Sequence, residues 1–256
     1  MTSVASMRAT LCPRLSSLGN NPIHMKKFGI TLVLAILTTF TFAQTETLNP
    51  FTSLDVFGPF QIELIKSDHG AIDMQAINVD KDDLTVEVHR GQLVLKLRSR
   101  HFFTDWDSDK FRNEPRIKTK IYYKELDEIK IAAGGTVEAI EAIQSKKIVI
   151  EGSMGSEIDL TTTAETMYVR TSMGATVNLR GQTDFLEVKA NMGGVLNANR
   201  LESKSAYVKA NMGADVSIFA SEEVDIDAAM GASVRYSGDP IVRHTNRKIG
   251  ADIYKR

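Results

Sequence analysis

A Met-Gly dipeptide returns five times in the second half of the chain, within IVIEGSMGSEIDL, YVRTSMGATVNL, EVKANMGGVLNA, YVKANMGADVSI and DIDAAMGASVRY. The glycines are Gly155, Gly174, Gly193, Gly213 and Gly231, separated by steps of 19, 19, 20 and 18 residues. A weaker copy precedes them at IAAGGTVEA, with Gly135 in the glycine column, and a partial one follows at KIGADIY with Gly250. A period this short, with no amphipathic-helix pattern inside it, fits one coil of a β-solenoid per repeat rather than a helix pair. The fold class expected is all-β: a right-handed parallel β-helix or solenoid with coils of about 19 residues, over residues 126–256.

Aligned on the glycine, the side chains alternate with a period of two, as strands require. Four residues before each methionine stand Ile150, Val169, Val188, Val208 and Ile226. Two before it come Gly152, Thr171, Ala190, Ala210 and Ala228, all small. Between these columns lie Glu151, Arg170, Lys189, Lys209 and Asp227, whose charges must face water. After the glycine, Ile158, Val177, Leu196, Val216 and Val234 form a second apolar column, followed by the polar Asp159, Asn178, Asn197, Ser217 and Arg235.

Glycine suits a corner that needs positive φ or a close approach of neighbouring coils. Continued alternation places Met154, Met173, Met192, Met212 and Met230 inside that corner, stacked at about 4.8 Å as flexible filler. A sharper reading is a thioether ladder for Cu(I). No His or Cys joins the column, so packing is preferred, and no metal, cofactor or catalytic residue is assigned. The preceding column of Ser153, Ser172, Asn191, Asn211 and Ala229 suggests side-chain hydrogen bonding along the stack.

Residues 50–125 lack Met-Gly but remain strand-rich, through FTSLDVFG, FQIELIKS, LTVEVHR, QLVLKLRS and RIKTKIYY. VHRGQ (88–92) reads as a hairpin turn between two of these runs. This half is expected to be a β-rich subdomain that begins or caps the stack, because an open coil end invites intermolecular pairing.

The N-terminus points to export. Met25-Lys26-Lys27, the apolar stretch Phe28–Phe42 and the small residues ending at Ala43 have the three-part pattern of a secretory signal peptide over 25–43, with 1–24 upstream of the true start. Cleavage after Ala43 removes Arg8, Arg14, Lys26, Lys27 and the single cysteine, Cys12. The remainder is mildly acidic, which argues against nucleic acid as a partner, and it can form no disulfide. Periplasm or outer cell surface is the expected location, with no transmembrane anchor after cleavage.

Signals for catalysis are weak. The mature part has His69, His89, His101 and His244, without metal-ligand spacing, and no phosphate-cradling glycine loop. Glu151, Glu157 and Asp159 could be grouped as carboxylates of a polysaccharide-cleaving β-helix, but surface alternation accounts for them. Two surfaces are candidate contacts. Arg170, Lys189 and Lys209 should stack into a basic stripe, with Glu151 and Asp227 pairing its ends and Lys189 unmatched. The loop 101–118 carries Phe102, Phe103 and Trp106; its Asp105, Asp107 and Asp109 fail as a calcium loop because Lys110 stands where glycine is needed.

The export signal, the FTSLDVFGPFQIEL opening, the TVEVHRGQLVLKL hairpin and the iterated Met-Gly coils together resemble a family described as "putative auto-transporter adhesin, head GIN domain", frequent in Bacteroidetes, over roughly residues 50–236. The resemblance implies an exported β-helix-like protein and carries no catalytic residues to transfer. It makes a non-enzymatic envelope protein, an adhesin or surface scaffold, the first expectation. A periplasmic glycan-binding or sensing module is the second, and an enzyme on polysaccharide the third. A glycan or another envelope protein would be the partner, and homo-oligomers are compatible with flat flanks.

Overall fold

The computed structural model describes residues 44–77, 79, 81–98 and 116–256. The segment 25–43 expected to be a signal peptide and the segment 1–24 lie outside the described residues, as do Phe102, Phe103, Trp106 and the three aspartates of their loop.

The described chain is a single 17-stranded β-system wound as a solenoid. Its long strands are β10 (Ile143–Gly152), β11 (Glu157–Thr171), β12 (Thr176–Ala190), β13 (Val195–Ala210) and β14 (Asp215–Ala228). Each pairs in parallel with the next, one coil further on: Val169 faces Val188, which faces Val208, which faces Ile226. The apolar columns therefore stack like on like and are almost completely buried. Each such aliphatic side chain contributes about 1.5–3 kcal/mol through burial. The stack closes with β15 (Ser233–Ser237), β16 (Ile241–Arg247) and β17 (Asp252–Lys255), the last two carrying mostly exposed side chains.

The N-terminal half is woven into the same stack. β2 (Ser53–Phe57) pairs in parallel with both β6 (Gln92–Leu97) and β8 (Glu128–Ala132). β3 (Phe60–Lys66) pairs in parallel with both β7 (Arg116–Tyr123) and β9 (Thr136–Ala139). The first coil in sequence, β2–β3, thus sits between β6–β7 on one side and β8–β9 on the other. One hydrophobic core runs from Leu54 and Phe60 through to Val234 and Ala251. The outer end is closed by antiparallel strands: β5 (Leu84–His89) on β6, β4 (Ala71–Ile77) on β7, and β1 (Gln44–Thr47) on β4. Antiparallel closure occupies an edge that a parallel coil would leave open. The β5–β6 hairpin turns through Arg90 and Gly91, both at positive φ, as a two-residue hairpin favours.

Candidate functional site

The corner between the two flanks of each coil is a two-residue turn. Met154 and Gly155 have φ of 52° and 71°, and Ser156 N donates to Ser153 O across 3.3 Å. The same pair of left-handed residues recurs at Met173-Gly174, Met192-Gly193, Met212-Gly213 and Met230-Gly231. Ala133-Gly134 and Ile249-Gly250 supply the flanking corners. The glycine of the weak first copy is therefore Gly134 rather than Gly135, which takes the place of Ser156 in register. At the five Met-Gly corners a Cβ on the glycine would meet nothing within 4 Å, so glycine is there for its φ and not for a close approach.

Successive corners are tied by the backbone. Gly155 N donates to Met173 O at 3.0 Å, Gly174 N to Met192 O at 3.2 Å, and Gly193 N and Gly213 N to Met212 O and Met230 O at 3.0 Å each. Ahead of the methionines, Asn211 Nδ2 donates to Asn191 Oδ1 at 3.3 Å, a side-chain rung of the kind the column suggested.

The methionines do not fill the corner. Met154, Met173, Met192, Met212 and Met230 are 40–48% exposed and form a ridge along the outside. Period-two alternation holds only while the backbone is extended, and two consecutive left-handed residues reset it. The inward side chain after Gly152 is therefore Ser156, and the space inside so tight a turn is taken by methyl-sized groups. Thr171, Ala190, Ala210 and Ala228 face Ala175, Ala214 and Ala232 there, all buried. Two all-small columns bracketing the Met-Gly pair were the sequence signal that the corner is too tight for a thioether.

The basic column is assembled but compensated. Arg170, Lys189 and Lys209 are direct register partners on successive coils. Arg170 pairs with Glu151. Lys189 is not unmatched: its Nζ lies 2.6 Å from Glu187 Oε1, an acid two residues back on the same outward face. Lys209 is exposed and has no ion pair among the described residues, its register neighbour Asp227 included. On the other flank Arg180 Nη1 lies 2.8 Å from Asp159 Oδ1, Asn197 donates to Asn178 at 2.9 Å, and Arg235 reaches Asp215 at 2.7 Å. Asp159 and Glu151 are thereby engaged with arginines on the next coil.

The concavities are open surface grooves with lining of both signs. One of about 1190 Å³ runs past Lys66, Asp68, Asp127, Glu141 and Lys147. Another of about 820 Å³ lies among Glu63, Lys118, Glu138, Glu157 and Arg180. No cluster of three His, Cys, Asp or Glu able to hold a metal ion occurs among the described residues. Among the described residues, the carboxylates whose pKa values shift all shift downward. Glu128 is lowered by its hydrogen bond from Lys130 despite partial burial, Glu223 by Arg243 and Asp239 by Lys255.

Solved structures with the same fold are available for comparison. A protein described as a "putative adhesin" from Bacteroides fragilis superposes with a TM-score of 0.71 at 16% identity, covering 86% of this chain and 98% of its own. A "putative lipid binding protein" from Parabacteroides distasonis gives 0.62 at 15% identity, covering 83% and 96%. A "putative adhesin" from Parabacteroides merdae gives 0.56 at 11%, covering 83% and 95%. At these identities the likeness shows the fold alone. No curated protein matches the sequence. The family model described as "Putative auto-transporter adhesin, head GIN domain" matches residues 50–240, most of the chain, and the protein belongs to that family.

Proposed function

We propose that this protein is an exported, non-enzymatic β-solenoid of the cell envelope that works as an adhesive or scaffolding surface. The observation that carries this reading is where the chemistry lies. The core is a continuous apolar stack interrupted only by small hydroxyls such as Thr162, Thr171 and Ser203, and the charged side chains stand in outward columns, many of them engaged in ion pairs. A general acid would need a carboxylate with its pKa raised towards neutrality. The shifts at Glu128, Glu223 and Asp239 run the other way. The family supports an adhesive role, and the leader-like 25–43 segment supports export. Lys209, with its neighbours Arg170 and Lys189, is the proposed contact point for an acidic glycan or envelope protein.

Two readouts on one protein test this. Intact cells expressing the chain are treated with external protease, and the purified protein is applied to a glycan array with a reducing-sugar assay. Surface degradation, without release of reducing ends, is the expected result. Protection from protease would move the protein to the periplasm and favour the binding or sensing alternative. Release of reducing ends would overturn the non-enzymatic reading. Glycan retention that is unchanged in a Lys189→Glu, Lys209→Glu variant would remove the basic column from it.

A further inference from the structure

The methionine ridge is costly in two ways. A non-glycine residue in the left-handed region loses roughly 1–2 kcal/mol, with Asn and Asp the usual exceptions. Met occupies that region in all five of these turns, at φ of 48–53°. At 40–48% exposed, each thioether also recovers only about half of the burial free energy that a core position provides. Yet the residue is the same at all five rungs. Buried columns drift among Ile, Val and Leu, and the residue ahead of each methionine varies among Ser, Asn and Ala. A position that does not favour Met conformationally and leaves it 40–48% exposed, yet holds Met at five consecutive corners between Ala133 and Ile249, is explained by what the side chain does outside the fold.

The chemistry of the ridge is narrow. Each rung is flanked by uncharged groups only: Ser153 and Ser156, Ser172 and Ala175, Asn191 and Gly194, Asn211 and Ala214, Ala229 and Ala232. Thioethers are soft, neutral donors that select Cu(I)-like cations over Zn²⁺, Ca²⁺ or Mg²⁺. The spacing fits as well. Corner backbones stack directly, Gly N to the next Met O, so adjacent rungs lie about 4.8 Å apart. A cation bound linearly between two sulfurs, at the ~2.3 Å of an ordinary metal–sulfur bond, spans about 4.6 Å. Ala133 and Ile249 end the row with no sulfur.

A second copy of the chain is a poorer occupant. Four steps of about 4.8 Å make the ridge ~19 Å long and one side chain wide, far short of the ~800 Å² per partner of a stable interface.

We infer that the Met154–Met173–Met192–Met212–Met230 ridge binds soft monovalent cations, Cu(I) or Ag(I), between sulfurs of adjacent coils. Binding involves no redox change: the ion exchanges solvent or carrier ligands for two neutral thioethers. Adjacency is the essential feature, because two pre-aligned donors gain about 10²–10⁴ over one.

The test uses the purified full chain, Cu(I) in competition with a chromophoric chelator under reductant, and Ag(I) as a redox-inert probe. Two double variants each remove two sulfurs while keeping an apolar side chain. Met173→Leu with Met212→Leu takes alternate rungs and leaves no adjacent pair. Met154→Leu with Met230→Leu takes the ends and leaves three methionines in a row. The expected result is tight binding in the parent and the end variant, and a loss of about a hundredfold or more in the alternate-rung variant. Absence of binding in the parent overturns the inference. So does equal loss, or equal retention, in the two variants, which would mean scattered thioethers or other groups hold the ion. Thermal melts matching the parent exclude misfolding as the cause.

Discussion

Each coil has two corners, and they solve the same problem in opposite ways. At the Met-Gly corner the chain reverses in two left-handed residues, identical in form from Ala133-Gly134 to Ile249-Gly250, with hydrogen bonds from coil to coil. At the far corner, residues 161–165, 180–184, 199–204 and 219–222 lie within the long strands, which run on with no fixed turn. The register shifts between Asn178 and Arg180, Ala198 and Glu202, and Ser203 and Ser205. The 18- to 20-residue spread of the repeat is absorbed there. The Met-Gly corner sets the register and the far corner takes up most of the slack, with one further shift between Val224 and Asp225 in the last coil.

The largest effect that could break this comparison comes from insertion. One alanine added inside Asn191–Gly194 should destabilise by on the order of 3 kcal/mol or more, because it shifts a strand by one residue and turns its apolar set outward. The same insertion between Ala198 and Glu202, read by the same denaturant titration, should cost about 1 kcal/mol or less.

The glycines sharpen it further. Gly181, at φ 116° on the far corner, would place a Cβ 2.0 Å from Thr162 O, whereas Gly193 at φ 70° has open space around it. Gly181→Ala should therefore cost about 3 kcal/mol or more, and Gly193→Ala only the ~1–2 kcal/mol of a left-handed alanine. Comparable losses would mean the two corners are held alike.

A smaller effect concerns the join between the N-terminal coil and the repeats. Ser53 Oγ donates to Glu128 Oε2 at 2.8 Å, and Lys130 Nζ lies 2.6 Å from Glu128 Oε1, linking β2 to β8. The Glu128 carboxyl is held below its ordinary value of 4.5, first by Lys130. Its contribution is therefore present above that value and lost as pH falls through the lowered one. The pair is partly solvated, so Glu128→Gln should cost about 1 kcal/mol or less at pH 7. The difference from the parent should shrink when melts are repeated in acid.

The smallest expected change is the most diagnostic for the ridge. Met192→Asn should leave stability unchanged or raise it by about 0.5 kcal/mol, since Asn tolerates the left-handed region better. A clear loss would show that the thioethers pack after all.

Much of this was legible in the sequence. The 18- to 20-residue spacing and the alternating columns on either side of Met-Gly indicate the solenoid and its inward faces, because strand periodicity writes burial directly into the chain. The Arg90-Gly91 hairpin was legible for the same local reason. Methionine orientation was not, because alternation continued through a turn puts Met154 inside, and only the φ values of both turn residues show that the count restarts. The partner of Lys189 is not legible from the aligned columns, because the acid it meets, Glu187, lies along its own strand rather than across it. The threading of β2–β3 between β6–β7 and β8–β9 depends on pairing between distant segments, which no local pattern records.

The central claim is that the five corner methionines face solvent. Oxidative footprinting with hydrogen peroxide, read by peptide mass spectrometry, tests it directly, because sulfoxide formation follows exposure. Met167, fully buried and touched by Thr162 Oγ1 at 3.9 Å, is the internal reference. Rapid oxidation of Met154, Met173, Met192, Met212 and Met230 with Met167 protected is the predicted result. Protection of the five to the level of Met167 would contradict it and return the methionines to the core.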